Sequence, residues 1–354
     1  MKKNKPDPRN NGSASCKRKT TIGGQALIQG LMMIGPEKKA MAVRRPDGSI
    51  VIEEMPMTRF TGAANWLFLR GGIRLFRQLV SGTKALLRSA ELAEESDTQG
   101  ETAAVATTAA LSLNADSAAG GEALHEQSTG PAKGKNRVSQ ALDRFFSSHT
   151  ELMLTGSAAL GILFSVALFI LLPNLLVSFV RQWLNMGVIA SNLLEGLIRI
   201  MLFVGYLALA NRMQDIKRVW MYHGAEHKVI ACYEAEQPMT VENAKGYSRF
   251  HPRCGTAFMF LVIIISIIVF SLVGWWGRWI NLLIRFALVP LVAGIAYEII
   301  RLAGRYDNWL TRAVSRPGLW LQRMTTAEPD SGMLEVAIAA LEAVKPTRAG
   351  SDRW

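Results

Sequence analysis

The chain is 354 residues long with a formal net charge of +12, and both its charge and its apolar residues are unevenly spread. The apolar residues concentrate in long blocks after residue 150, whereas 21 of the 40 Lys and Arg residues precede residue 151. This distribution excludes a wholly soluble globular protein and indicates a membrane protein with a basic N-terminal region. The three cysteines have no secreted-scaffold spacing and are expected to be reduced thiols.

The first 90 residues divide into a tail and a small folded region. Residues 1–21 are polar and basic, so they are predicted to be a disordered tail without a cleavable signal peptide. Two β-like runs at 40–44 and 49–55 flank Arg-Pro-Asp-Gly, which predicts a hairpin. Residues 66–90 carry arginines at helical spacing, typical either of a helix lying on an anionic membrane or of a solvated charged face. We therefore expect residues 22–90 to form a cytoplasmic α+β region.

A linker and four apolar blocks make up the middle of the chain. Residues 91–140 are rich in Ala, Ser, Thr and Gly, which predicts a flexible linker. The blocks at 152–180, 193–210, 256–276 and 286–303 are predicted to be transmembrane helices of a membrane domain at 141–304. Glu195 and Arg199 interrupt the second block at i and i+4, so they are expected to pair.

Positive charge sets the predicted orientation. Lys and Arg concentrate in the N-terminal region, in the loop at 211–254 and after residue 300. Both termini and this loop are therefore predicted to face the cytoplasm. The tail at 305–354 is expected to associate with the membrane surface and to contain a short amphipathic helix at 333–344, capped by Ser331 or Asp330.

The loop at 211–254 carries most of the residues able to bind a metal. It holds three of the five histidines and two of the three cysteines. His223 and His227 are four residues apart, so on a helix they share a face and can reach one ion. With Glu226 they form His-x-x-Glu-His, the inverted zincin pattern, in which two histidines hold zinc and the glutamate activates a bound water. Gly224 would weaken this helix by about 1 kcal/mol relative to alanine.

The identity of the third ligand is open between His251, Cys254 and Glu298. The first two lie at the cytoplasmic start of the third predicted span, and Glu298 lies near the cytoplasmic end of the fourth, so all could meet the two histidines at one depth. Arg301 is an alternative partner for Glu298 at i+3, and a cysteine beside a membrane helix is often inert packing. Zinc is the expected metal, although two histidines and a carboxylate would also suit iron. His149, ahead of the first span, is a further candidate.

Seven short stretches of the chain together carry a specific family resemblance. They are Gly-Gly-Gln-Ala at 23–26, Met-Met at 32–33, Gly-Pro at 35–36, Tyr-His-Gly-Ala-Glu-His-Lys at 222–228, Thr-Val-Glu-Asn-Ala at 240–244, Ser-Arg-Phe-His-Pro-Arg-Cys-Gly-Thr at 248–256 and Thr-Thr-Ala-Glu-Pro-Asp at 325–330. These stretches resemble the bacterial YqhQ-like family, multi-pass membrane proteins that are labelled as predicted metal-dependent enzymes. The resemblance implies a bacterial inner-membrane protein and a metal. The chain departs from the family at Gln29 and Ile34, where the family tends to have an acidic and a basic residue.

The sequence as a whole predicts a mainly α, integral membrane protein of four transmembrane helices with a small α+β cytoplasmic N-terminal region. The predicted function is metal-dependent hydrolysis, with His223 and His227 as ligands and Glu226 as the base. The alternative is a non-enzymatic scaffold in the lipid bilayer, which would assist membrane-protein insertion or assembly through its basic face and meet a translocon or ribosome. Specific DNA binding is not expected. A transporter is disfavoured because the spans carry few charges and show no inverted repeat.

Overall fold

A computed structural model of the chain describes residues 19–57, 70–74, 76–93, 156, 159–161, 163–274, 276–306, 308–348 and 350–352. Most of the predicted tail, nearly all of the linker, the start of the predicted basic helix, the start of the first span and His149 lie outside the described residues. The described part is mainly helical with one small antiparallel sheet near the N-terminus. This agrees with the predicted fold class at that level.

The sheet has four strands in the order β1-β2-β3-β4, namely Gly23–Leu27, Gly30–Ile34, Lys39–Arg44 and Ile50–Met55. The β3–β4 pair is the hairpin predicted from sequence, and its turn holds Gly48 at φ +87°. The β1–β2 hairpin was not predicted, because glycines interrupt its sequence and glycine has a low strand propensity. Its two-residue turn is formed by Ile28 and Gln29, and Gln29 adopts φ +53°.

One face of the sheet packs against a helix that precedes the apolar blocks. This helix, α1, is described at residues 70–74 and 76–93. Ala85 and Leu92 from its second half share a buried cluster with Leu27, Met32 and Met41 of the sheet. The predicted basic helix therefore exists, but its second half is docked on the sheet.

The remaining helices are α2 (Leu172–Trp183), α3 (Val188–Ala210), α4 (Gln214–Glu234), α5 (Val241–Lys245), α6 (Gly255–Val273), α7 (Arg278–Arg305), α8 (Trp309–Thr325) and α9 (Ser331–Val344). A π-helical turn at Ala167–Leu171 precedes α2. Of these helices, α4 and α9 pack on the other face of the sheet, and the apolar helices form a bundle. Helix α9 is the predicted C-terminal helix, and Asp330 caps it by accepting the backbone N–H of Met333 at 2.8 Å.

Within the described residues, three helices are long and apolar enough to cross a membrane: Ala159–Trp183, Val188–Ala210 and Trp279–Arg305. The prediction of four spans is therefore wrong in number. The block at 256–276 forms α6, whose apolar stretch Phe258–Val273 is shorter than the other three. Cys254 caps the start of α6 and Gly274, at φ +90°, follows its last residue, so the helix ends before the apolar block does.

Charged residues inside the bundle are paired. Glu195 binds Arg199 on the same helix at 2.8 Å, which confirms the predicted i, i+4 pair. Arg285 of α7 approaches the other oxygen of Glu195 at 2.5 Å. Glu195 therefore forms the predicted pair within α3 and also links α3 to α7 through Arg285.

Candidate metal centre

Helix α4 places the three residues of the His-x-x-Glu-His pattern on one buried face. His223, Glu226 and His227 are all buried, and the two imidazole ring centroids are 4.5 Å apart. This proximity follows from the i, i+4 spacing on a helix. The helix lies between the sheet and α9, and Tyr222, Ala225 and Val229 belong to the core that these elements share.

Cys254 joins the two histidines from the start of α6. Its sulfur accepts the backbone N–H of Thr256 at 3.4 Å and lies 3.0 Å from Nε2 of His223. His223, His227 and Cys254 each offer one donor atom, and the three atoms lie within 4.8 Å of one another. In the described part of the chain, this is the group of His, Cys, Asp and Glu side chains close enough to hold one ion.

Backbone carbonyls orient both imidazoles. Nδ1 of His223 lies 2.7 Å from the carbonyl oxygen of Thr325, and Nδ1 of His227 lies 2.5 Å from that of Arg249. A carbonyl can only accept, so each Nδ1 carries the proton and Nε2 is the nitrogen that can bind a metal. Such a hydrogen bond on the second nitrogen is what metal-binding histidines normally have.

Glu226 is held by the sheet. Its Oε1 accepts the backbone N–H of Gly24 in β1 at 2.8 Å. Burial raises the pKa of Glu226 above its usual value, and the nearby charges of His223 and His227 oppose this only in part. A raised pKa makes the carboxyl group a better proton acceptor than an exposed glutamate.

Cys254 and His223 influence each other's pKa, because the sulfur lies 3.0 Å from Nε2 of the imidazole. Burial alone would raise the pKa of Cys254, but the charges of His227 and His223 and hydrogen bonds from both lower it well below 9.0. Burial alone would lower the pKa of His223, but the charge and hydrogen bond of Cys254 raise it to about 9. Both shifts favour a thiolate on Cys254 beside a protonated His223, and a metal ion would displace the proton between them.

Two other residues predicted as ligands lie apart from this group. The ring of His251 is centred 5.6 Å from that of His227, and its Nε2 lies 3.6 Å from Glu234. Both oxygens of Glu298 accept hydrogen bonds from Arg70 of α1, at 2.6 and 2.7 Å. Arg301, the partner considered from sequence, is 3.8 Å away. Neither His251 nor Glu298 belongs to the three-residue group.

The residues that sequence reasoning missed act through the main chain. Gly24, Arg249 and Thr325 contribute an N–H and two carbonyls, so their side chains gave no signal of a role. The available signal was that all three lie in the stretches that resemble the family. Gly224 also has a role, because a methyl group there would overlap the carbonyl oxygen of Ala327. The backbone N–H of Ala327 donates to Trp220 at 2.9 Å, so this glycine lets the segment after α8 lie directly on α4.

The fold and the site define a mainly helical protein with three candidate membrane spans and a buried cluster of two histidines and one cysteine. The chain belongs to the family described as "Protein of unknown function (DUF1385)", which residues 66–347 match. It is 33% identical over 320 residues to the "Uncharacterized protein YqhQ" of Bacillus subtilis (strain 168), covering 89% of each chain. The resemblance noted from the motifs is thus confirmed. No solved structure matches the chain.

Proposed function

We propose that this is a multi-pass membrane protein with a zinc centre held by His223, His227 and Cys254, which performs hydrolysis with Glu226 as general base and acid. The observation that carries the proposal is the convergence of three donor atoms within 4.8 Å, with both Nδ1 atoms held by carbonyls. In each ring the carbonyl occupies Nδ1 and leaves Nε2 for the cluster that contains the sulfur of Cys254. A purely structural role for the two imidazoles would not require this shared orientation.

The donor set favours zinc over iron. Two imidazoles and a thiolate are ligands that zinc takes in proteins, and three protein ligands leave a fourth tetrahedral position open. An iron site of two histidines and a carboxylate would need Glu226 or Glu298, and neither belongs to the group of converging donor atoms. Both oxygens of Glu298 bind Arg70. Glu226 in turn accepts the Gly24 N–H.

The chemistry follows from the positions of the residues. Zinc in such a site supplies a bound water of lowered pKa. Glu226 lies on the same helix face as both histidines, and its raised pKa suits a group that accepts a proton and later donates it. The carbonyls of Thr325 and Arg249 keep both imidazoles in the tautomer that binds through Nε2.

The membrane location rests on the three long apolar helices. Large apolar side chains such as Leu193, Met201 and Leu209 are exposed along α3, where lipid would cover them. Arg212 and Lys217 are exposed where α3 gives way to α4, and Arg305 is exposed at the end of α7. These charges favour a cytoplasmic location for the candidate metal centre.

Metal content tests the site directly. We expect the purified protein to bind one equivalent of zinc, and His223→Ala, His227→Ala and Cys254→Ser to lose it. Cys232→Ser is the matched control, because Cys232 is also a buried free cysteine on α4 but lies outside the cluster. Glu298→Gln should also retain zinc. A folded wild-type protein that takes up no metal from zinc-containing buffer would overturn the proposal.

Cobalt substitution separates the ligands from the base. Cobalt bound to a thiolate gives a charge-transfer band in the near ultraviolet, which we expect in the wild type and not in Cys254→Ser. The variant Glu226→Gln should keep the band. Its absorption should titrate with pH differently from that of the wild type if Glu226 exchanges a proton with the bound water. Identical pH titrations would remove Glu226 from the proposed mechanism and leave a binding site only.

The scaffold alternative is supported by one surface. Trp309, Leu310 and Trp320 of α8 are exposed, and so are Arg316 and Arg323 on the same helix. Such a surface suits anionic headgroups or an acidic partner. Salt-sensitive co-purification with ribosomes or a translocon, together with a protein that binds no metal, would favour the scaffold over the enzyme.

A further inference from the structure

The first turns of α1 contact the middle of α7. A Cβ added to Gly71 would lie 2.8 Å from Cβ of Tyr297 and 2.9 Å from Cα of Gly294, which is closer than side chains normally approach. Gly72 lies beside Pro290 in the same helix. Glycine thus allows the two helix backbones to touch, as small residues do where helices pack in membranes.

Two arginines of α1 are bound at this contact. Arg70 forms two hydrogen bonds to Glu298, and Arg74 donates to the hydroxyl of Tyr297 at 2.6 Å. The guanidinium of Arg74 also lies 5.7 Å from the centre of the Tyr297 ring. Placing an arginine in hydrocarbon costs free energy unless its charged group has polar partners. Glu298 and Tyr297 are such partners for Arg70 and Arg74.

The contact lies several residues before the C-terminal end of α7, which is at Arg305. If the hydrocarbon begins at Arg301, Gly294 lies about 10 Å and Pro290 about 16 Å inside it, at 1.5 Å per residue. Half of a bilayer core is about 15 Å thick. Residues 70–72 of α1 therefore lie beside the part of this candidate span that runs from its Arg301 end to about the middle of the bilayer.

The other end of α1 lies on the sheet. Lys39 of β3 binds Ser81, Arg88 binds Glu53 of β4 at 2.9 Å, and the backbone N–H of Ile28 donates to Ser89 at 3.2 Å. Strand β4 belongs to the same sheet and precedes α1 in the chain. The described chain before and after the segment that touches α7, namely β4 and the second half of α1, therefore lies at the same sheet.

Directly after these contacts, α1 exposes large apolar side chains. Phe76, Leu79 and Val80 are 67%, 55% and 42% exposed. In water these three side chains would form an unfavourable patch, whereas acyl chains would cover them.

We propose that residues 70–74 and 76–80 of α1 are embedded in the bilayer beside α7, as a segment that reaches the acyl chains and returns to the side of the sheet before the long apolar helices. The inference rests on the proposed crossing of the bilayer by α7. Its partner is the acyl-chain region of the leaflet on the side of the sheet. The predicted surface helix is in this view a re-entrant segment, held by Gly71 against Gly294 and by Arg70 against Glu298.

Nitroxide accessibility in vesicles tests this proposal. Phe76→Cys and Leu79→Cys in the full chain would be spin-labelled and reconstituted in phosphatidylcholine–phosphatidylglycerol vesicles, with unsubstituted protein as the blank for the native cysteines. Collisions with lipid-soluble oxygen and with a water-soluble nickel chelate would then be compared. Leu291→Cys, on α7 and 40% exposed, is the lipid reference, and Ile52→Cys, on β4 and 47% exposed, is the water reference.

We expect the oxygen-to-nickel ratio at residues 76 and 79 to shift towards that of residue 291 and away from that of residue 52. Ratios at 76 and 79 equal to that at 52, with residue 291 in lipid, would overturn the re-entrant segment and leave the membrane assignment intact. A water-exposed residue 291 would overturn the crossing by α7 and this inference with it.

Discussion

Gly224 lies between the two histidines of the candidate metal centre, and its missing side chain makes room for Ala327. The Gly224→Ala substitution should favour the helix by about 1 kcal/mol. It should also push the segment after α8 away from α4 and move the Thr325 carbonyl off His223. Loss of such a supporting hydrogen bond typically weakens metal binding about 10- to 100-fold. We therefore expect zinc affinity, measured by competition with a chelator, to fall by this factor.

The control is Gly246→Ala. Gly246 follows α5, and an added Cβ would meet only the Asn243 carbonyl oxygen at 3.4 Å. Zinc affinity should not change in this variant. Unchanged affinity in folded Gly224→Ala would show that the Thr325 carbonyl does not support the site.

Glu234 predicts an acid dependence of stability. It is buried, binds Arg253 at 2.5 Å and accepts the backbone N–H of Thr20 at 2.8 Å. Burial alone would raise the pKa of Glu234, but the His251 hydrogen bond and the Arg253 charge lower it from 4.5 to about 2. The folded-state pKa is depressed, so the stabilisation is complete above pH 4.5 and is lost as the pH falls towards 2. Its full size is about 3 kcal/mol.

The matching variant is Glu234→Gln. The difference in thermal midpoint between wild type and variant, measured in detergent with a chelator so that metal release does not contribute, should be large at pH 7. It should shrink steadily below pH 4.5. A difference that stays constant down to pH 3 would contradict the depressed pKa.

At the scale of elements, the Arg70–Glu298 pair fastens α1 to α7. Arg70→Glu or Glu298→Arg alone should lower the free energy of unfolding by about 2 kcal/mol, since each removes charge-assisted hydrogen bonds. The double reversal should recover more than half of the loss. The exposed Lys38–Glu54 pair is the control, and its reversal should change stability by less than about 0.5 kcal/mol. Additive losses in the double variant would exclude a direct interaction.

Some elements could be predicted because their signals are local. The β3–β4 hairpin follows from its turn residues, and α9 follows from a capping residue and helical periodicity. The end of α6 was not predictable from hydropathy, because the apolar block continues past Gly274. From sequence, Gly71 is only a residue of low helix propensity. Its role becomes clear from the tertiary fold, in which Gly294 lies too close for a side chain at position 71.

At the scale of the whole molecule, the candidate metal centre draws on three distant stretches of chain. His223 and His227 could be predicted as neighbours, since their spacing on one helix brings them together. Cys254 remained one of three candidates until the start of α6 was placed beside α4. The Arg249 and Thr325 carbonyls could not be predicted, because every residue carries a carbonyl and only the tertiary fold selects which ones orient a ligand.

The bundle itself depends on one carboxylate. Glu195 binds Arg199 on α3 and Arg285 on α7, and Arg199 also donates to Ser266 of α6 at 2.9 Å. Three helices therefore meet around a single negative charge. Removing that charge takes away the Glu195 carboxylate that both buried guanidinium groups bind, whereas removing Arg285 leaves Glu195 paired with Arg199. Breaking a buried pair from one side typically costs about 3–5 kcal/mol.

We therefore expect Glu195→Gln to lower the thermal stability of the protein more than Arg285→Met does, although each substitution changes the net charge by one. Helical circular dichroism of the detergent-solubilised protein should be lost at a lower temperature in Glu195→Gln than in Arg285→Met. Arg285→Met should keep most of the wild-type stability, since Glu195 and Arg199 still neutralise each other at 2.8 Å. The reverse order would mean that the link from α3 to α7, rather than charge balance, stabilises the bundle.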